Sequence, residues 1–327
     1  MNIADIRNFL GKDWTDVQEC ISGVLHSDIE LLNTTNGSIL AHSGKQLRPL
    51  LALVMARACS HGEVTEATVR YAATSELLHN ATLLHDDVAD DSDQRRGVPT
   101  IRSLMGPSVS VLVGDYWLVK AMELILQGAE RDTDVIRIFS KTLSDLAEGE
   151  MLQLQKAQSG DTDMQDYLRI IYSKTASLFE AACVSAAVSV DADEVIVNAA
   201  RAYAVALGLA FQIKDDILDY SGTDTVGKPL GVDIQEQKIT LPLLGALSFA
   251  TEETQKDIRS KIADIMDNPQ YRDEIVNFVR DNGGLEYAVS QLEIYVHKAV
   301  AALDVLPDSP EKKLLVELAW FTAERTM

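Results

Sequence analysis

The sequence predicts an all-α fold, and three observations carry that expectation. Helix breakers are sparse, with 8 Pro and an ordinary 18 Gly among 327 residues. Apolar residues recur at helical spacing along most of the chain. Charged residues (24%) far outnumber aromatic ones (6%), as they do in amphipathic helices packed around aliphatic cores. Hydrophobic residues make up 46%, which is ample material for a core. The length allows one large domain or two smaller ones. No composition shift marks a linker, no period repeats and nothing is low-complexity. Residues 1–327 therefore read as a single domain, a helical bundle.

Taken in order, residues 1–40 suggest two helices around a turn. Ile3, Ile6, Phe9 and Leu10 share one face, and Val17, Ile21, Val24 and Leu25 share another. The segment SGKQLRP (Ser43–Pro49) is a Gly turn leading into a helix over Leu50–Ala58. Ala67–His85 is helical, and Gly97–Pro107 is a loop. Val109–Leu126 and Thr133–Ala157 are helices, with Gln153 a polar group in an apolar run. Ser159–Met164 is a polar turn, Tyr167–Val190 a helix, and Asp191–Asp193 a break before the helix Ala199–Tyr220. Ser221–Pro242, rich in Gly and Pro, is long enough to serve as a lid. The remainder is amphipathic helix broken at Asn268–Pro269, Asn282–Gly284 and Leu306–Pro310, and it contains no motif.

The net charge of −21 argues against non-specific nucleic-acid binding and against docking on anionic membranes. It permits an anionic substrate where lysines, arginines and metal ions reverse the local field. Cys20, Cys59 and Cys183 show no zinc-ligand spacing, and their odd, scattered count fits a reducing cytosol. The first residues lack a signal-peptide core. The apolar runs are interrupted by Glu180, Asn198 and Arg201, so no integral membrane span is expected.

Two acidic motifs dominate. LLHDDVADDSDQRR (Leu83–Arg96) places Asp86 and Asp90 four apart on one helix face, where carboxylates repel unless a cation lies between them. FQIKDDILD (Phe211–Asp219) repeats that spacing in Asp215, Asp216 and Asp219. Hard oxygen donors at this density suit Mg²⁺ or Ca²⁺, although EF-hand spacing is absent. Each motif leads out of an apolar helix and is followed by cations, and we expect the two to face one cavity. Lys45 and Arg48 before one helix, His79 two turns below Asp86, and Lys174, Lys214, Lys228 and Lys238 downstream are candidate anion ligands. A charge that grows on a diphosphate leaving group is stabilised by such metals and cations, and the accompanying carbocation needs a dry cavity. Ala81 and Thr82 leave space beneath the first carboxylates. Motifs for serine hydrolases, zinc proteases, P-loops and dinucleotide folds are absent. A sugar acid–base pair would leave the paired arginines unexplained.

From GKQLRP through LLHDDVADDSDQRRG and YSKTASLF to FQIKDDILD and GKPLGVDIQEQK, the chain resembles the trans-isoprenyl diphosphate synthases, the polyprenyl synthetase family. In HNATLLHDDV, SVLVGD and AEGEMLQL it is particularly similar to bacterial octaprenyl diphosphate synthases. The resemblance implies a bundle of the isoprenoid synthase type around a central cavity, a homodimer, a cytoplasmic location and three Mg²⁺ ions. Asp86 and Asp90 would hold two ions, and Asp215 with Asp219 the third. Arg95, Lys174 and Lys238, with Lys228 and Gln212, would hold the allylic diphosphate. Lys45, Arg48, His79 and Arg96 would hold isopentenyl diphosphate, and Thr175 and Gln153 would flank the carbocation. Small residues at Ala81 and Thr82 imply a long product, from hexaprenyl to decaprenyl with octaprenyl central, for a quinone side chain. The alternatives are a short-chain farnesyl or geranylgeranyl diphosphate synthase and a non-catalytic partner subunit. Lys214 departs from the family by replacing a residue that is often apolar, and Trp117 by its bulk.

Overall fold

The computed structural model describes residues 2–95, 97–127, 133–221 and 231–325. The all-α expectation holds. Among the described residues the strands are a two-residue antiparallel pair, β1 (Gln94–Arg95) and β2 (Val98–Pro99). The helices begin with α1 (Ile3–Leu10), α2 (Lys12–Val24), α3 (Glu30–Ala41), α4 (Leu47–Ser60) and α5 (Glu66–Ala89). They continue with α6 (Ile101–Met105), α7 (Pro107–Leu126), α8 (Thr133–Ser159), α9 (Met164–Ile171), α10 (Ser177–Ser189) and α11 (Glu194–Ser221). The last are α12 (Val232–Gln235), α13 (Leu241–Phe249), α14 (Glu252–Ala263), α15 (Tyr271–Asp281), α16 (Gly284–Ala302) and α17 (Pro310–Glu324). A π-helical turn, Tyr172–Ala176, joins α9 to α10.

Several expectations need correction. The N-terminal 40 residues hold three helices, not two, because Gly11 at φ 55° ends α1 after eight residues. The loop after the first acidic motif contains the small hairpin and α6. Tyr167–Val190 is interrupted by the π turn. Contrary to the reading of broken apolar runs, α11 is 28 residues long and apolar enough, by length and composition alone, to cross a membrane. It buries Ala200, Tyr203, Ala204, Leu207, Ala210 and Ile213, as a core helix does. The three expected C-terminal breaks are present, and a further one at Ala250–Thr251 separates α13 from α14.

The chain divides into two compact units. The first comprises Met1–Ser140, Ala181–Ala200 and Val305–Leu315. In it α5 packs most extensively on α7, and also on α4 and α2. Thr65 and Thr68 form a reciprocal capping box at the start of α5. The α5–α7 approach is close, since a Cβ on Gly114 would lie 2.5 Å from the His85 ring. Ser110 Oγ donates to the Leu84 carbonyl at 2.8 Å across the same seam. Trp117 is fully buried, and its indole N–H donates to Asn36 Oδ1 at 2.8 Å. Asn36 in turn donates to the Leu25 carbonyl at 2.9 Å, so the buried indole N–H and the Asn36 amide both have partners. Trp117 is thus a core anchor that no open space reaches, and its bulk is spent on packing.

The second unit comprises Lys141–Glu180, Arg201–Asp304 and Val316–Met327. Here α13 packs on α16, and a Cβ on Gly284 would lie 2.2 Å from the Pro242 carbonyl oxygen. The π turn is gripped from two sides in the same way. A Cβ on Gly149 of α8 would lie 2.5 Å from Ser173 Cβ, and one on Gly208 of α11 would lie 2.5 Å from Ala176 Cα. Glycine here removes the side chain that would hold two backbones apart.

Candidate active site

In the first unit, α5 runs unbroken to Ala89 and delivers the first motif at its C-terminal end. Asp90 is the cap residue, and its N–H still bonds the Asp86 carbonyl at 2.8 Å. Asp86 and Asp90 therefore lie one turn apart, as expected. The middle residue, Asp87, is buried at 4% exposure and accepts from Arg95 Nε at 2.8 Å. The hairpin carrying Arg95 folds back over α5, and Arg102 of α6 ion-pairs with both Asp91 and Asp93. A cavity of about 90 Å³ adjoins this corner, lined by Asn80, Leu83, Leu84, Asp87, Arg95 and Ile101 among others. Arg95, expected on the allylic diphosphate, is here paired with Asp87. Arg96 lies outside the described residues.

The neighbouring candidates sit as follows. Ala81 is buried, and half-buried Thr82 donates its hydroxyl to the His79 carbonyl at 2.8 Å, which ties it to its own helix. His79 is half-buried on α5, and Lys45 is exposed in the turn before α4. Arg7 steadies that turn by donating to the Gly44 and Lys45 carbonyls at 3.3 and 3.0 Å. Arg48 lies in the first turn of α4, half-buried. The helix starts three residues earlier than the sequence suggests, because Pro49 fits the first turn of a helix.

In the second unit, three different partners hold the three aspartates on α11. Asp215 is paired with Arg325 at 2.9 Å. That guanidinium also donates to the Phe211 carbonyl at 2.7 Å and lies over the Phe211 ring at 3.8 Å. Asp216, 2% exposed, accepts from Tyr167 OH at 2.6 Å and from Gln212 Nε2 at 3.0 Å. Asp219 accepts from the backbone N–H groups of Val232 and Asp233 at 3.1 and 3.3 Å, at the start of α12. Thr175, next to Lys174 on the π turn, donates to Gln212 Oε1 at 2.8 Å. Lys174 pairs with Glu150 at 2.5 Å, and Lys238 pairs with Glu236. Lys228 and most of the expected lid lie outside the described residues.

A cavity of about 170 Å³ in this unit is lined by Gln153, Lys174, Gln212, Asp216, Asp233 and Lys238 among others. Five of these six were named from the sequence, and Asp233 falls within GKPLGVDIQEQK. The electrostatics are unbalanced. Burial, and then the neighbouring Asp233, pushes the Asp216 carboxyl well above the usual range. Burial and the nearby Asp219 push Asp233 up to about 7. Burial, with the Arg325 charge, lowers the Lys214 ammonium below its ordinary value.

Among the described residues, no three His, Cys, Asp or Glu side chains form a ready metal cluster. The donor set nonetheless fits a hard divalent cation. Asp215, Asp216, Asp219 and Asp233 supply only oxygen, and their mutual repulsion is what a bound cation relieves. Mg²⁺ retains several waters and takes substrate phosphate oxygens, so one or two carboxylates per ion suffice.

Sequence reading missed Tyr167, Glu150, Asp233 and Arg325. Tyr167 follows a capping box in which Asp163 accepts from the Asp166 N–H at 2.8 Å, so a helix start there was readable. The Gly149 and Gly208 contacts mark the π turn, but nothing local announces them. Arg325 lies in the stretch that carries no motif.

Comparison with known proteins points to one family. The polyprenyl synthetase family profile matches residues 29–279. The octaprenyl diphosphate synthase of Escherichia coli K12 is 36% identical over 326 residues, 99% of each chain. A decaprenyl diphosphate synthase from Rhodobacter capsulatus has a similar structure, with a TM-score of 0.90 at 35% identity over 100% of both chains. So has a polyprenyl synthase from Caulobacter crescentus CB15 complexed with calcium and isoprenyl diphosphate, with a TM-score of 0.90 at 33% identity over 100% of this chain and 98% of that one.

Proposed function

The chain belongs to the polyprenyl synthetase family and is a trans-prenyl diphosphate synthase, and we propose that it elongates farnesyl diphosphate with isopentenyl diphosphate to a long all-trans polyprenyl diphosphate. The observation that carries this reading is the second-unit cavity. Asp216 and Asp233 line it together with Lys156, Lys174, Lys238 and Gln212. A site built to attract cations beside fixed ammonium groups suits a metal–diphosphate better than either a bare anion or a bare metal.

Asp86 and Asp90 of the first motif would hold Mg²⁺, as would Asp215 and Asp219 of the second. Bound Mg²⁺ would supply charge stabilisation to the departing diphosphate. Arg95, Lys174 and Lys238 orient the allylic diphosphate, assisted by Gln212 and Lys228. Their present carboxylate partners, Asp87, Glu150 and Glu236, are exchanged for phosphate oxygens as substrate enters. Lys45, Arg48, His79 and Arg96 orient isopentenyl diphosphate. Thr175 and Gln153 turn oxygen atoms toward the developing carbocation. Apolar walls exclude the water that would quench it.

Small side chains at Ala81 and Thr82 support a long product, octaprenyl being the central length within hexaprenyl to decaprenyl. Buried Trp117 removes one obstacle to that length. We read the chain as one domain, because four of the five unit boundaries, at Ser140, Glu180, Ala200 and Leu315, fall within α-helices rather than linkers. On α7, Leu112, Val119 and Leu126 recur every seven residues and are 67%, 55% and 53% exposed, which supports a homodimer through this stripe. A cytoplasmic location and a role in making quinone side chains complete the proposal.

The test is incubation with farnesyl diphosphate, isopentenyl diphosphate and Mg²⁺, followed by mass spectrometry of the products. A ladder ending at one long polyprenyl diphosphate is expected. Products ending at farnesyl or geranylgeranyl length would overturn the chain-length reading, and no elongation would overturn the catalytic one.

A further inference from the structure

The second aspartate motif contains three carboxylates, yet the reading above gives a direct cation role to two. On α11, Asp215 and Asp219 are four apart and share a face, whereas Asp216 is turned about 100° away from Asp215. Asp216 is buried, and both of its oxygens are occupied. Tyr167 OH donates to one at 2.6 Å and Gln212 Nε2 to the other at 3.0 Å. The Gln212 amide cannot flip without loss, because Thr175 Oγ1 donates to its oxygen at 2.8 Å. Two neutral donors, one at each oxygen, fix the carboxylate's rotation without neutralising it.

Tyr167 itself stands on a fixed platform. It is 2% exposed on α9, a helix begun by a reciprocal capping box. The residues entering that helix are tied down by Arg259, which donates to the Gly160 and Thr162 carbonyls at 2.6 and 3.1 Å. If Tyr167 served packing alone, its hydroxyl would need no partner on α11, and phenylalanine would serve as well.

We propose that Tyr167 is a positioning residue for the second aspartate motif. Its hydroxyl locks Asp216 and thereby sets the rotation of α11 that presents Asp215 and Asp219 to the metal–diphosphate. This rests on the prenyl-elongation reading and adds a residue that touches neither metal nor substrate.

The experiment compares full-length wild type, Tyr167→Phe, Asp216→Asn and the double variant. It measures the Mg²⁺ concentration that gives half of the thermal stabilisation by Mg²⁺ with inorganic diphosphate, alongside kcat and KM for elongation. Tyr167→Phe should melt near wild type in chelator. Its half-saturating Mg²⁺ should rise about tenfold, or about 1.4 kcal/mol, and kcat should fall more than KM rises. Adding Tyr167→Phe to Asp216→Asn should cost nothing further, since the hydroxyl acts through that carboxylate. An unchanged half-saturation in Tyr167→Phe, or additive effects in the double variant, overturns the proposal. If Tyr167→Phe does not fold, Thr175→Val reads the far end of the same chain of bonds. A rise in half-saturating Mg²⁺ there supports the lock, and no rise overturns it. Wild type that neither elongates nor gains stability from Mg²⁺ with diphosphate sinks the functional reading and the proposal together. Wild type that does both beside an unaffected Tyr167→Phe sinks the proposal alone.

Discussion

The two aspartate motifs share a spacing but are held in opposite ways. The first is balanced by arginine, with Asp87 on Arg95 and both Asp91 and Asp93 on Arg102. In the second, Arg325 pairs with Asp215, and neutral donors also hold the motif: a phenol, an amide and two backbone N–H groups. Charge-assisted pairs keep carboxylates ionised, whereas burial among neutral donors and like charges does not. Asp87 of the first motif is therefore held by an arginine, whereas its counterpart Asp216 in the second is held by neutral donors. The same five-residue pattern can thus begin from different resting states.

The largest break in this comparison is removal of a ligand. Asp86→Ala and Asp215→Ala should each lower kcat about a thousandfold or more, as expected when charge stabilisation of the leaving group is lost. Steady-state elongation assays with circular dichroism as the folding control check this. Retained activity in both variants would falsify a metal site with two walls. Next in size is a change of product. Thr82→Phe places a ring beneath the first motif and should shorten the polyprenyl chain seen by mass spectrometry, while the second motif's metal response stays as it was.

The remaining predictions concern stability. Arg325→Ala strips Asp215 of its ion pair and uncovers the Phe211 ring. Asp215 is 44% exposed, so the discounted cost is roughly 1–2 kcal/mol, well short of a fully buried pair. Urea unfolding in chelator measures it, and a cost near zero would mean that neither the ion pair nor the Phe211 contact stabilises the fold. The smallest effect is a pH slope. Asp233 keeps its proton up to about 7 in the folded chain, against an ordinary value of 3.8. The folded state thus binds more protons than the unfolded state across that window. Its contribution to stability is full below the ordinary value and is lost as pH rises through about 7. Metal-free wild type should melt progressively lower across that range, and Asp233→Asn should flatten the slope. A wild-type slope of the opposite sign would show that Asp233 is ionised at rest.

The contrast between the motifs also explains what was legible in the sequence. Arg95 is eight residues from Asp87, so the first motif and its counter-charge sit in one readable stretch. Tyr167 is 49 residues from Asp216, and Arg325 is 114 from Phe211. Those partners are chosen by tertiary packing, and no local pattern names them. Helix type was legible in the long segments because it depends on spacing within each one, whereas the short α6 and α12 fall in stretches read as loops. Joints were not legible. The early stop of α1 and the π turn depend on a left-handed Gly11 and on clearance beside Gly149 and Gly208. The expected helix Ala199–Tyr220 begins too late, since α11 starts at Glu194 and accommodates exposed Asn198 toward solvent.

That π turn has a consequence for how this stretch can change over time. It amounts to one extra residue wound into a helix, kept in place by two glycines that leave the neighbouring backbones within reach. Deleting any one residue of Tyr172–Ala176 would let the helix rewind and swing Lys174 or Thr175 by about 100°. The segment should accept many exchanges of letter and almost no change of length. An insertion or deletion there would act as a frameshift in space, leaving every side chain present and each one aimed at the wrong neighbour.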